Sequence, residues 1–130
     1  MGISEVAPLA TAGILTDIIV PEGNNKKSVI AAKDVLYFEA CPPYVNIRHR
    51  SRRCLITGTL RSLELQLNPE LFVRVHKSHI VNIAEVVSFQ SRLNGDYDAT
   101  LSDETIVRVS RNYALVFKAA FEKRNRFGPK

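Results

Sequence analysis

Two cysteines, Cys41 and Cys54, in a chain of 130 residues are too few for a disulfide scaffold, and no CxxC pair is present to hold zinc. The sequence also lacks GxxxxGK, GxGxxG and GxSxG, so it offers no phosphate-cradling loop and no nucleophile elbow. The uncharged stretch from Val6 to Thr16 is too short to cross a bilayer, and no basic segment precedes it as in a signal peptide. A hydrophobic content of 45% with 24% charged residues excludes disorder, collagen and coiled coil. The length fits one domain with its own core, and the expectation is a soluble, cytoplasmic protein. With 18 Lys and Arg against 13 Asp and Glu, the net charge is +5, which favours a polyanionic partner.

What is present is a succession of short β patterns. Residues 1–13 are small and weakly patterned and read as a tail or linker remnant. From Ile14 to Val20 β-branched residues dominate, Pro21 to Asn25 form a turn cluster, and Ser28 to Ala32 return as a partner strand. Val35 to Ala40 is a third strand. In Tyr44 to His49, Val45 and Ile47 share one face while Tyr44, Asn46 and Arg48 share the other. Arg53 to Thr57 can pair with that strand across the tip Arg50-Ser51-Arg52. Val86 to Gln90 and Tyr97 to Leu101 flank Asn94-Gly95, a strong hairpin signal because both residues accept positive φ. Thr105 to Val109 completes a meander.

Two segments have helical spacing. Leu60, Leu63 and Leu67 follow a Thr59 cap and stop at Asn68-Pro69. Tyr113, Val116, Phe117, Ala120 and Phe121 form an apolar stripe behind a Ser110 cap, with Lys118, Lys123 and Arg124 suited to the C-terminal end. The sum is a mostly β domain over residues 14–122 with antiparallel sheets and two short helices, followed by a basic tail at 123–130.

Catalysis and metal binding find little support. His76 and His79 are three apart, but Val73, Val75, Ile80 and Val81 read as extended chain, which would send the two imidazoles to opposite faces. No Glu stands beside them as in a metalloprotease motif, and Cys41 has no nearby His. A hydrolase site built from His76, His79 and Cys41 is therefore the least favoured alternative, and neither metal nor cofactor is expected. Asp96, Asp98, Asp103 and Glu104 read as solvated turn residues.

The basic residues are more informative. Between Glu39 and Glu64 there is no acid, and Arg48, Arg50, Arg52, Arg53 and Arg61 all fall there. Guanidinium grips phosphate in bidentate fashion, so Arg48, Arg50 and Arg52 on a hairpin are candidates for backbone contact. Lys77 lies in a turn and Arg111 at the start of the last helix, where a side chain can reach a base edge while free N–H groups hold a phosphate. On these grounds alone duplex DNA, RNA and an acidic protein all remain possible partners.

Asp34 to Ala40, Tyr44 to Ile47, Thr59 to Glu64, the central run Phe72 to Asn82 and then Val109-Ser110-Arg111 together resemble, in order, the LytTR family of bacterial DNA-binding domains. The resemblance spans roughly Ile14 to Phe121. It implies an elongated, sandwich-like set of antiparallel sheets that reads duplex promoter DNA through loops, without catalysis. By the family's motifs the base-directed positions fall on Tyr44, Lys77 and Arg111. Arg74, His76, Ser78, Ser110 and Asn112 fall on backbone-contacting or positioning sites, and Val81 and Asn82 on packing and turn positions. Pro42-Pro43 stands where the family often has Gly-Asn. Direct-repeat sites and a dimer on DNA are implied as well. The family commonly follows a phospho-receiver domain, and the residues before Ile14 cannot supply one. The expectation is therefore a response-regulator output domain or a stand-alone transcriptional regulator, with any receiver or sensor outside this chain.

Overall fold

A computed structural model describes residues 14–125; the expected tail at 1–13 and the last five residues lie outside that range. Ten strands and two α-helices follow in order: β1 Asp17–Pro21, β2 Lys27–Ala31, β3 Val35–Cys41, β4 Tyr44–His49, β5 Arg53–Thr57, α1 Leu60–Gln66, β6 Phe72–His76, β7 His79–Asn82, β8 Val86–Ser91, β9 Tyr97–Leu101, β10 Ile106–Val109 and α2 Ala114–Arg124. They form three antiparallel sheets: β1-β2, the five-stranded β5-β4-β3-β7-β6, and β10-β9-β8.

Strand alternation sends side chains of the five-stranded sheet to two separate cores. Val35, Phe38, Val45, Ile47, Phe72 and Ile80 face one core, closed by Val20 and Ile30 of the β1-β2 hairpin and by Leu60 and Leu63 of α1. Tyr37, Val73, Val75 and Val81 face the other, closed by Ala99, Leu101, Val107 and Val109 of the three-stranded sheet and by Phe117 of α2. The first core draws on all five strands and the second on β3, β7 and β6, so the two lie on opposite faces of the sheet and share those three strands. The mostly β, multi-sheet architecture with two helices matches the expectation.

Local chemistry explains the boundaries. The Thr59 hydroxyl accepts from the Ser62 amide at 3.1 Å and caps α1. Asn82, fully buried at the end of β7, donates from Nδ2 to the Lys33 and Val35 carbonyls at 3.1 and 2.9 Å and accepts from the Ala84 amide. Its polar atoms are thereby satisfied, and it locks the β2-β3 connection to the centre of the sheet.

Two details differ from the sequence pattern. At the β8-β9 hairpin the Gly95 amide bonds to the Arg92 carbonyl and the Arg92 amide to the Asp96 carbonyl, with Gly95 at φ +93° and Asn94 not left-handed. This is a type I turn closed by a glycine bulge rather than a turn with two left-handed residues. Before α2, Arg111–Tyr113 form a 3-10 turn. The buried face of α2 is Ala114 and Phe117 with Ala120 and Phe121 beside them, as the stripe requires, whereas Val116, expected inside, is 62% exposed at its margin. The helix runs to Arg124, past residue 122.

Candidate nucleic-acid interface

The strand order brings distant turns to one end of the five-stranded sheet. Pro42-Pro43 make a two-residue connection, with Cys41 and Tyr44 still in register across it. Lys77-Ser78 connect β6 to β7, and His76 pairs with His79. Because β7 pairs with β3, the Ala40 amide donates to the Ser78 carbonyl at 2.9 Å, so the two turns are neighbours. The Ser110 amide donates to the Val75 carbonyl at 2.8 Å, which fixes the β10-α2 junction beside the strand leading into Lys77. Tyr44 at the first position of β4, Lys77 in the β6-β7 turn and Arg111 at the β10-α2 junction thus come to one end of the five-stranded sheet, and all three are exposed.

The Lys77 turn is held by its neighbours. Arg74 donates from Nε to the His76 carbonyl at 2.8 Å and from Nη2 to the Lys77 carbonyl at 2.6 Å, and pairs with Glu64 of α1. The Ser78 amide and hydroxyl both meet His76 Nδ1, at 3.1 and 2.9 Å. His79 lies 3.6 Å from Glu39, which also accepts from Asn46 Nδ2 at 3.2 Å. The two imidazoles do not point to opposite faces: the tight turn makes them cross-strand partners, with ring centroids 5.9 Å apart. Burial pushes the His79 pKa down, opposed by Glu39 and reinforced by His76, so the neutral ring is favoured. Among the described residues no group of three or more His, Cys, Asp or Glu is placed to hold a metal ion.

At the β10-α2 junction, Ser110 accepts from the Asn112 amide at 3.4 Å. The sequence suggests free N–H groups at this helix start, but the Arg111 amide is not one of them. It is taken instead by Asp96, whose Oδ1 accepts it at 2.9 Å. That backbone bond is the foremost reason the Asp96 pKa is held below 3.8, with Asn94 and Arg108 adding to it. Asp96, Asp98 and Asp103 are thus more than solvated turn residues: Asp96 and Asp98 meet Arg108, Asp98 also meets Arg92, and Asp103 meets Arg48. The sequence signal for Asp96 was its place one residue after Asn-Gly, which fixes where a hairpin tip projects.

Arg48, Arg50 and Arg52 lie elsewhere. Five steps of extended chain lead from Tyr44 to His49, about 17 Å, so the Arg50-Ser51-Arg52 tip is at the opposite end of the sheet. Arg48 pairs with Asp103 at 3.4 Å, Arg52 with Glu22, and Arg50 with Asp34 and the buried Glu85. Lys77, Arg111 and Arg61, by contrast, have no carboxylate partner among the described residues. Arg61 follows Gly58 and Thr59, and the Gly58 amide bonds to the Pro43 carbonyl at 3.2 Å, which sets the start of α1 beside Tyr44. No helix among the described residues is long and apolar enough to cross a membrane.

A Bacillus cereus LytTr DNA-binding domain of known structure superposes with a TM-score of 0.74, covering 82% of this chain and 96% of that one at 19% identity, a likeness of fold. The sensory transduction protein LytT of Bacillus subtilis is 29% identical over 90 residues, 69% of this chain and 37% of LytT. The heme-containing CO-sensing transcriptional regulator RcoM 1 of Paraburkholderia xenovorans is 33% identical over 97 residues, 72% of this chain and 36% of that protein. The chain thus spans well under half the length of these curated relatives. The sequence pattern of the LytTr DNA-binding domain matches residues 25–122, from just before β2 into α2 and through all three loops just described, and the chain belongs to that family.

Proposed function

We propose that the domain binds duplex DNA sequence-specifically through the loops at one end of the five-stranded sheet, as the output part of a bacterial transcriptional regulator. Tyr44, Lys77 and Arg111 contact base edges. Arg74, His76 and Ser78 position the Lys77 turn, Ser110 and Asn112 the Arg111 turn. The observation that carries this reading is the contrast in charge pairing. Lys77 and Arg111 are exposed cations without carboxylate partners among the described residues, fixed beside one another by the Ser110–Val75 hydrogen bond. Their charge is available to DNA, whereas that of Arg48, Arg50 and Arg52 is already compensated, and those three are proposed as braces of the far end. Relatives described as sensory transduction proteins and transcriptional regulators support the regulatory part.

A domain of this size covers a short site, so two copies on direct repeats about one helical turn apart are proposed, which places both on one face of the duplex. The test is a panel of single-base-pair variants of a site selected by the chain from random duplexes, all at one salt concentration. Arg111→Lys keeps the charge and loses the planar fork. It should forfeit about 1–3 kcal/mol of preference at one base pair and keep its nonspecific affinity. An equal loss on every duplex would make Arg111 a phosphate clamp and sink the base-reading assignment.

A further inference from the structure

Building on the reading of Arg111 as a base reader, we infer that the β8-β9 hairpin tip, Asn94-Gly95-Asp96, is a positioning latch that sets the specificity Arg111 delivers. The tip holds Arg111 at three points. Asp96 Oδ1 accepts the Arg111 amide at 2.9 Å, and the Asn94 carbonyl accepts from Nη1 at 3.5 Å. Between them lies Gly95, where an added Cβ would stand 3.4 Å from Arg111 Cβ and 3.6 Å from Cδ, so the arginine stem runs along bare glycine backbone. Backbone, stem and guanidinium are thus all guided by one turn that is 15 residues away in sequence.

The tip is itself built to hold still. Asn94 and Asp96 grip each other twice, Asn94 Oδ1 accepting the Asp96 amide at 3.0 Å and Asn94 Nδ2 donating to Asp96 Oδ2 at 3.2 Å. Gly95 supplies φ +93°, which a residue with a side chain adopts at a cost. Arg108 lies 3.4 Å from the second oxygen of Asp96 and compensates its charge. That division decides the chemistry: one Asp96 oxygen fixes the Arg111 backbone, and the other is answered by Arg108. The Arg111 guanidinium is left without a carboxylate partner among the described residues. The carboxylate also occupies the anion position at the 3-10 turn, so a phosphate does not dock there and draw the arginine away from the bases. Holding the arginine in advance reduces the entropy lost when it binds.

The experiment uses the whole chain, a duplex selected by it from a random pool, and the single-base-pair variants of that duplex. Arg111→Ala first identifies the base pair whose preference is lost. Asp96→Ala should lose preference at that same pair, roughly fivefold or more, with other pairs changed by less than about twofold. Asp96→Asn keeps an oxygen acceptor for the amide and should retain most of the preference. Adding Asp96→Ala to Arg111→Ala should change that pair no further. Gly95→Ala perturbs the latch without touching the carboxylate and should lose the same preference, so the idea stands or falls even if Asp96→Ala does not fold. If Arg111→Ala weakens all duplexes alike, the base-reader assignment is wrong and the latch falls with it. If Arg111→Ala is selective but Asp96→Ala and Gly95→Ala are neutral there, or strengthen every duplex alike, the latch alone is wrong.

Discussion

The amide of Ser110 and the carbonyl of Val75 meet at 2.8 Å, and through that contact the junction carrying Arg111 is fastened to the strand that delivers Lys77. Two steps along the chain lead from Val75 to Lys77, and one from Ser110 to Arg111. Both turns are further braced, by Arg74 on one side and Asp96 on the other. Loops held this way cannot adjust their spacing independently.

Lys77 and Arg111 are therefore expected to read two different base pairs at a fixed separation. Lys77→Ala should relax preference at one and leave the other intact. Inserting one base pair between the two positions should cost about as much as losing one contact, roughly 1–3 kcal/mol. Binding that tolerates the insertion without loss would mean that the loops move independently.

The second expectation concerns Arg50. Its guanidinium pairs with Glu85, whose side chain is 8% exposed and also accepts from the Ser102 hydroxyl. Removing the arginine leaves a nearly buried carboxylate short of a partner. Because Arg50 itself is half exposed, the loss should fall below that of a fully buried pair, about 1–3 kcal/mol. Arg50→Ala should lower the urea midpoint clearly and change DNA affinity little once the folded fraction is corrected for. A large affinity loss with unchanged stability would return this residue to the phosphate contacts.

Stability should also depend on pH through His79. Its folded pKa lies below 6.5, chiefly through burial, with Glu39 and His76 facing it. Below 6.5 the unfolded chain takes up a proton more readily than the folded one. The His79 contribution is therefore complete above that value and is lost as pH falls through the window beneath it. Asp96, lowered from 3.8, and Glu22, lowered from 4.5 to about 2 by its bonds to Ser28 and Arg52, lose theirs only in stronger acid. Urea midpoints measured between about pH 7 and about pH 5 should fall for the parent and be flatter for His79→Gln. Equal slopes in both proteins would remove His79 from the account.

Much of this was legible in the sequence wherever a local rule governs. Thr59 caps α1 as expected, Ser110 caps the 3-10 turn ahead of α2 and not α2 itself, and the alternation of Val45 and Ile47 marks the inward face of β4. What stayed hidden depends on pairing across the fold. The partners of Arg48, Arg50 and Arg52 all lie outside the acid-free run, 16 to 55 residues away, so the run by itself reads as free positive charge. His76 and His79 face each other only because Lys77-Ser78 reverse the chain within two residues. Val116 sits about 100° round the helix from Phe117, at the margin of the stripe, and the face that meets the second core centres on Ala114, Phe117 and Phe121. Asp96 gave no local sign that it would meet the Arg111 amide, since that contact needs the second sheet in place.

The final prediction separates charges that meet DNA from charges that hold the fold. Each phosphate neutralised contributes a slope of about −0.9 to log affinity against log salt. A cation already compensated by a carboxylate contributes less, because its ion pair must be given up in exchange. Arg61 has no such partner among the described residues and starts α1 beside the Pro42-Pro43 turn. Arg52 is paired with Glu22 at the other end of the sheet. Arg61→Ala should therefore make the salt slope shallower by about one unit, with similar weakening on every duplex sequence. Arg52→Ala should leave the slope unchanged. The check is affinity at several salt concentrations for the parent and both variants, on the selected duplex and on an unrelated one. If Arg52→Ala flattens the slope and Arg61→Ala does not, the DNA lies against the far hairpin, and the assignment of the Tyr44, Lys77 and Arg111 end as the reading face is wrong.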